Sequence, residues 1–487
     1  LPHSILWGHL HLLRDVKSRL PPDVHIQVVV SIISDDYDMR AHGVFYLDLY
    51  PVQLEPFMVV LSPETIHQAS TQLGKHTKAY SKYAPVVGKD SMVISNGELW
   101  RENRAMFNPF FSTSRLRSFI PAIIQEGKVL TEILDHAVKS SPRLHNLETI
   151  LSGALTDIIG HVTFGASMQT QTSSENLKTL LSRLSWLIST STFSSFLSGF
   201  NLGEGRLLNQ MAKESSTQVR NHASDCLRSQ DKQEATISIR SKLNQHYTVL
   251  LQNIDIDSIK NIIFAGIDTS SSVLTHALYE LSRNPDVLLR LREEHTCVFK
   301  NDRSGSPFED TKLQSQLNEL PYTSAVIKET MRLYTPAGST RLGEKGCHLR
   351  HQSTGLCFPT EGCMVYLAGP ALHRDPTYFP MPQEFHPERF LAEGGSKFLN
   401  IPKYVYRPFE QGPRACLGQD LAMLELKVLL IMLVHKFDFE PDYRGELSCL
   451  NCIPGYGERA YQTMFTTAKP RDGIPVVVRY RAVVEDS

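Results

Sequence analysis

Net charge is almost absent from this sequence: 50 Lys+Arg stand against 51 Asp+Glu, leaving -1. That balance excludes bulk electrostatic binding to nucleic acid. Long apolar runs are missing too. No stretch reaches about 18 apolar residues, so no segment of the given sequence reads as a transmembrane helix. The chain opens on Leu1-Pro2 rather than Met, with apolar residues through Leu13, and an upstream membrane anchor is expected. Cysteine is sparse. Eight in 487 residues, irregularly spaced, exclude a disulfide scaffold. Cys449 and Cys452 form a lone C-x-x-C without a partner pair. Cys347, His348, His351 and Cys357 imitate zinc ligands, but the spacing is not that of a finger. That segment reads better as two strands with a polar turn. Linkers, repeats and low-complexity tracts are lacking, so residues 1–487 read as one domain. No flavin or nicotinamide fingerprint occurs.

What is present centres on Phe409-Glu410-Gln411-Gly412-Pro413-Arg414-Ala415-Cys416-Leu417-Gly418. The stretch runs into a helix carrying Leu421, Leu424, Leu426, Leu429, Leu430, Met432 and Leu433, read here as amphipathic. A lone cysteine is usually a small buried hydrophobe. This one lies at a helix N-terminus beside Arg414, where the dipole and the cation favour thiolate. Gly412 and Gly418 allow a sharp turn and close approach to a flat partner. A thiolate held at fixed height against a flat partner suggests an axial ligand of heme iron.

A second unusual stretch is Ala265-Gly266-Ile267-Asp268-Thr269-Ser270, inside an apolar helix predicted over 254–284 and closed by Pro285. Gly in mid-helix costs about 1 kcal/mol relative to Ala. Asp among Ile262, Ile263, Phe264 and Ile267 costs more unless it is paired. Such violations in a strong helix mark functional sites. The bland alternative is a threonine bonding its own i−4 carbonyl. Elsewhere, Trp100 and Arg104 share one face of a helix opening at Glu98. Glu329 and Arg332 are neighbours on a helix over 320–334. Pro387-Glu388-Arg389-Phe390 follows.

Phe-x-x-Gly-x-Arg-x-Cys-x-Gly, Gly-x-Asp-Thr, Glu-x-x-Arg and Pro-Glu-Arg-Phe occur in the order found in the cytochrome P450 family, which the chain resembles over nearly its whole length. The resemblance implies a mainly α fold with a small β region and a heme b cofactor ligated by Cys416. Phe409, Gly412 and Gly418 belong to the ligand loop. Trp100, Arg104, Arg414 and Arg341 would meet the heme propionates. Gly266 would admit dioxygen and substrate to the helix. Thr269 would hold a water, and Asp268 would relay protons inward. Glu329, Arg332 and Arg389 would form one buried network holding the cysteine loop, a geometry suited to Arg and not to Lys.

The implied activity is monooxygenation of an apolar small molecule with O2. NADPH–cytochrome P450 reductase would supply electrons, docking on Arg101, Lys403, Arg407 and Lys427. The implied place is the cytosolic face of the endoplasmic reticulum membrane. The opening residues and the stretch Asn96 to Phe111 resemble fungal microsomal enzymes of secondary metabolism. Two alternatives stand beside this reading. One is a reductase-independent heme-thiolate isomerase or dehydratase, which would need no Asp268–Thr269 relay. The other is a non-catalytic heme-binding protein. Further expectations are a hairpin over 43–61 and a helix from Pro63. Residues 75–97 read as a long loop, and Thr190 to Phe200 as a loop over the substrate entrance. The turn Ile453 to Gly457 is read as pointing into the cavity.

Overall fold

The computed structural model describes residues 1–81, 84–172, 210–221, 253–299, 313–391, 401–443, 452–464 and 467–481. The stretch Thr190 to Phe200 lies outside them. The described part is mainly helical, with small sheets. Its centre is the helix Asn253–Arg283. That helix packs on Leu147–Phe164, Pro321–Leu333 and Gln419–Lys436. These carry most of one large apolar core.

The Gln419–Lys436 helix is not amphipathic. Val428 to Val434 are buried at seven successive positions. The reason is its surroundings, since Ile120–Ser140, Pro285–Phe299, Pro321–Leu333 and the long helix all pack on it. A helix covered on all sides gains from apolar residues all round.

The expected hairpin is present as Val44–Leu47 and Phe57–Val60, paired antiparallel with Val44 opposite Val60. Met364–Leu367 adds in parallel to the second strand, and Ser339–Leu342 closes the sheet. Alternate side chains point to opposite faces. Phe45, Leu47 and Val59 meet the N-terminal helices Leu10–Ser18 and Ile26–Asp36. Val44, Met58 and Val60 meet Val365, Leu367 and Phe379. Pro63–Gln72 begins with Pro63, and the Ser62 hydroxyl accepts from Thr65 N–H at 3.3 Å. The strand pair predicted around Cys347 to Cys357 is His348–Arg350 with Cys357–Pro359. No group of metal-ligating side chains occurs there among the described residues. Residues 75–97 carry two short helices, Thr77–Ser81 and Ala84–Val87, where a loop was expected. For Ala84–Val87, tertiary packing against the long helix supplies what the local sequence does not.

Among the described residues no helix is long and apolar enough to cross a membrane.

Candidate active site

From Ile256 to Leu281 the long helix is buried at every position except Ala265, Gly266 and Thr269. Ala265 and Thr269 are one turn apart and share a face. An open stripe in the middle of a buried helix faces an internal hollow. Ala337 and Gly338 are likewise exposed between buried Pro336 and Ser339. Cys416 is a third case. Its residue is exposed, yet burial is the largest influence on its thiol. Both statements hold for a side chain facing an enclosed space rather than bulk water.

Backbone bonds shape the cysteine loop. Cys416 N–H donates to Phe409 O at 2.8 Å, and Ala415 N–H to Gly412 O at 3.0 Å. Gly412 has φ +80°, a region other residues rarely adopt. Glu410 also has positive φ, and Arg407 holds its carboxylate at 2.8 Å. Half-buried Phe409 packs against the main core. Gly418 differs from expectation. Its φ is -88°, and an added Cβ would make only an ordinary 3.8 Å contact with Phe111. What it contributes is its N–H, which faces the thiol.

The cation beside that thiol is Arg104, not Arg414. Arg104 donates to Ala415 O at 2.7 Å. Burial pushes the Cys416 thiol up, and the Gly418 N–H and Arg104 only partly offset this. The expectation that dipole and cation alone would yield a thiolate is therefore corrected: desolvation of the anion wins. A coordinated metal ion reverses that order, because it deprotonates a thiol outright.

Arg414 is pinned under Trp100, its guanidinium 4.0 Å from the indole centroid. It donates to Ser95 O at 3.0 Å and to Asn96 Oδ1 at 2.6 Å. Asn96 is a residue the sequence reading missed. It also exchanges two bonds with the Lys75 backbone. Its only sequence signal was its place before a helix, yet its side chain does not cap that helix. Arg341 is wholly buried. Its Nε has no hydrogen-bond partner, and its Nη2 makes none, lying 4.0 Å from Glu410. Burial, then repulsion from Arg341 and Arg104, bring Arg414 down to about 10. Lys75 and Tyr80 were also missed. Burial raises the Tyr80 phenol, but Lys75, Thr340 and Arg341 pull it to about 7.

Arg414 repelled by two neighbouring guanidiniums, and Arg341 buried with an unmatched N–H, make a site that favours an anion. A porphyrin carrying two carboxylates matches that donor set. Cys416 at the hollow would supply the matching metal ligand. The residues present therefore fit heme b.

The oxygen-side residues are arranged differently from the expectation. Thr269 Oγ1 donates to Ala265 O at 2.8 Å, leaving its lone pairs toward the hollow. Asp268 is buried, and its carboxylate is held by Lys469 at 2.5 Å and by the Thr467 hydroxyl. It does not pair with Thr269. Gly266 serves helix packing more than access. A Cβ there would lie 2.8 Å from Cδ1 and 3.1 Å from Cγ1 of Ile159. Gly266→Ala is expected to cost about 1–3 kcal/mol by overpacking. Urea unfolding would measure it, and Ile159→Val in the same chain should restore part of the loss.

Next to Thr269, Ser270 donates to Glu425 at 2.6 Å, on the helix that follows Cys416. Burial raises the Glu425 carboxyl from 4.5 to about 8. The folded state thus holds a proton that the unfolded chain releases above about pH 4.5. Stability is fully present below that pH, falls as pH rises, and levels off above about 8. At 1.36 kcal/mol per pH unit this amounts to roughly 5 kcal/mol. Glu425→Gln should remove that part of the slope, so the variant gains on the wild type between pH 5 and 8 in denaturation curves.

The supporting network forms as expected. Arg332 bonds both oxygens of Glu329 at 2.8 Å, and Arg389 Nε lies 3.2 Å from Glu329. Arg332 also donates to the carbonyl of His373 at 2.9 Å. His373 Nε2 in turn accepts from the N–H of Arg407 at 2.9 Å. Thus the network reaches the cysteine loop through His373. Burial and three arginines keep that ring neutral, at about 3.

Two surface expectations fail. Arg407 is buried against Glu410, and Lys427 is half-buried on Leu317 O, so Arg101 and Lys403 remain the exposed members of the basic patch. The turn at Ile453 to Gly457 does not line the hollow. Ile453 and Tyr456 are buried with the N-terminal helices, and Arg374 sits 4.1 Å over the Tyr456 ring.

The Cytochrome P450 family model matches residues 41–451. Cytochrome P450 monooxygenase acrF of Aspergillus aculeatus is 28% identical, covering 95% of this chain and 99% of the relative. Cytochrome P450 monooxygenase polC of Polytolypa hystricis is 28% identical over 97% of this chain and 88% of its own length. Cytochrome P450 3A7 of Homo sapiens is 29% identical over 72% of this chain and 70% of its own.

Proposed function

Because the chain belongs to the cytochrome P450 family, whose members bind heme b, we propose that it is a monooxygenase of an apolar small molecule, a fungal secondary metabolite. Electrons would come from NADPH through a separate reductase at the endoplasmic reticulum, and residues 1–487 act as one domain. The observation that supports the reading is Cys416, an exposed residue whose thiol is governed by burial, beside Arg104, with Arg414 held near Arg104 and the unmatched N–H groups of Arg341.

In this reading Cys416 would hold heme b, which would supply dioxygen activation when bound. The chain's own residues do the rest. Arg341, Arg104 and Arg414 would hold the two propionates beside the cysteine loop. Trp100 keeps Arg414 in place by covering its guanidinium. Thr269 keeps a water at the open stripe through its lone pairs. Ala265, Ala337 and Gly338 give the substrate an apolar wall that excludes bulk water.

The test has two stages. The reduced protein with carbon monoxide should show a thiolate-type difference band. Incubation with NADPH, a reductase, heavy-isotope dioxygen and candidate metabolites should then place one labelled atom in the product. A band without label incorporation would leave heme-thiolate binding standing and overturn monooxygenation. One observation favours the reductase-independent alternative: the Asp268 carboxylate is already engaged by Lys469 and Thr467. Turnover without NADPH would establish it.

A further inference from the structure

The helix Asn253–Arg283 carries many buried polar side chains, and nearly all of them are matched. Asp257 accepts from Asp90 N–H at 3.4 Å, and Lys260 donates to Ser216 Oγ at 3.2 Å. Ser270, Ser271 and Ser272 bond Glu425, Glu148 and Ala468 O, and Thr275 bonds Ser271 O. His276 and Glu280 have partners as well. Among the described residues of this helix, two atoms break the pattern. Ser258 Oγ and Asn261 Oδ1 are buried and have no hydrogen-bond partner. A buried acceptor left unmet opposes folding, so each one in a native protein needs an explanation.

Their place on the helix supplies one. Asn261 stands one turn before Ala265, and Ser258 two turns before it. At about 100° per residue, both fall within about 40° of Ala265 around the axis, and so does Thr269 one turn further on. Ser258, Asn261, Ala265 and Thr269 therefore form one stripe, and its second half is the part that opens on the hollow. Beside the first half, Ala84–Val87 packs on the helix, and Gly88 meets it at Asp257, where an added Cβ would fall 2.1 Å from the Asp257 Cβ. The exposed lining at Ala265, Ala337 and Gly338 is apolar. Ser258 and Asn261 are thus the polar end of an otherwise apolar wall.

We propose that Asn261, with Ser258 beside it, is the specificity-determining anchor of the substrate site and takes a hydroxyl group on an otherwise apolar molecule. This rests on the reading of the hollow as the substrate site, and narrows it. An amide and a hydroxyl between them both donate and accept, and a substrate hydroxyl does the same with one oxygen. A charged group does not fit, since the stripe carries no charged side chain to meet it. No hydrogen bond holds Asn261 Oδ1, and the last torsion of Asn is broad, so the amide turns toward Ala265 at little cost. Asn261 lies about 12 Å along the axis from Thr269. A substrate that reaches both carries its hydroxyl at the end away from the reacting carbon, with its apolar body along Ala265, Ala337 and Gly338. Only hydrogen bonds form at the anchor.

Two measurements test this on the heme-loaded protein. The first reads stability without ligand. Asn261→Leu replaces the unmet amide by an apolar group of similar size, a change that is neutral or favourable where no hydrogen bond is lost. In urea unfolding the folding constant should hold or rise, by up to about tenfold. A fall would show that the amide is already satisfied in the folded protein, by an ordered water or otherwise, and would overturn the proposal.

The second reads binding, by equilibrium dialysis. The probes are decan-1-ol and its methyl ether, which keeps the oxygen and lacks the donor. The wild type should hold the alcohol about tenfold more tightly than the ether, because a site built around a hydroxyl rejects an analogue that leaves its polar group unmet. Asn261→Leu should lose that preference and bind the ether as before, and Ser258→Ala should lose part of it. No preference for the alcohol in the wild type, including no binding of it, or the same preference in Asn261→Leu, would overturn the anchor. Dialysis needs neither turnover nor a heme signal, so the two readings fail separately. An absent carbon monoxide band or oxygen label, with the alcohol preference intact, would overturn the monooxygenase reading and leave the anchor standing.

Discussion

Cys416→Ala is expected to fold and to lose the thiolate-type carbon monoxide band completely, together with all oxygenation. The loop does not need the thiol for its shape. Cys416 uses its backbone N–H to reach Phe409 O, Ala415 bonds Gly412 O, and Arg104 bonds Ala415 O. None of these is lost with the sulfur. The side chain faces the hollow rather than packed neighbours, so the cavity penalty of a core truncation is mostly absent. A stability change within about 1 kcal/mol is expected. Yet no other side chain can take the place of the thiolate. Urea unfolding and the difference spectrum check the two halves separately. A variant that keeps the band would place the metal ligand elsewhere.

Arg332→Ala should leave the chain without a stable native state. Arg332 is fully buried and makes five hydrogen bonds: two to Glu329, and one each to the carbonyls of His373, Pro382 and Glu384. Removing it weakens the hold on a buried carboxylate, orphans the buried carbonyl of His373 and takes a donor from the part-buried carbonyls of Pro382 and Glu384. Breaking a buried pair costs about 3–5 kcal/mol. The orphaned His373 carbonyl adds about 1–3 kcal/mol. The total rivals the about 5–15 kcal/mol that holds a typical domain together. Arg332→Lys should recover little, because an ammonium cannot fork to both oxygens of Glu329 and still reach the carbonyls. The loss should appear as little soluble protein and little bound heme. Because Arg332 reaches the cysteine loop through His373 and Arg407, any residual folded fraction should bind heme weakly.

Local chemistry made much of this readable without coordinates. The Val44–Val60 hairpin and the Pro63 helix start depend on residues close in sequence, whereas the cysteine loop's role and the Glu329–Arg332–Arg389 network followed from the resemblance to the family. The places where reading failed share another property. Gly266 needs no side chain because Ile159, over a hundred residues away, occupies that space. Asp268 is not turned to Thr269 because Lys469, two hundred residues on, holds it. Arg407 is not on the surface because the strained Glu410 draws it inward. Asn96, Lys75 and Tyr80 gave no local signal for their places around Arg341 and Arg414.

The sequence by itself determined the candidate ligand loop and the candidate oxygen-side helix, because the resemblance to the family rests on motifs whose spacing is short-range. Only the tertiary structure decided how charge is shared among distant groups. Burial, not the neighbouring cation, governs the Cys416 thiol, and one lysine divides itself between Asp268 and Glu148. Desolvation and ion pairing depend on what packs around a group, and elements hundreds of residues apart supply that packing here.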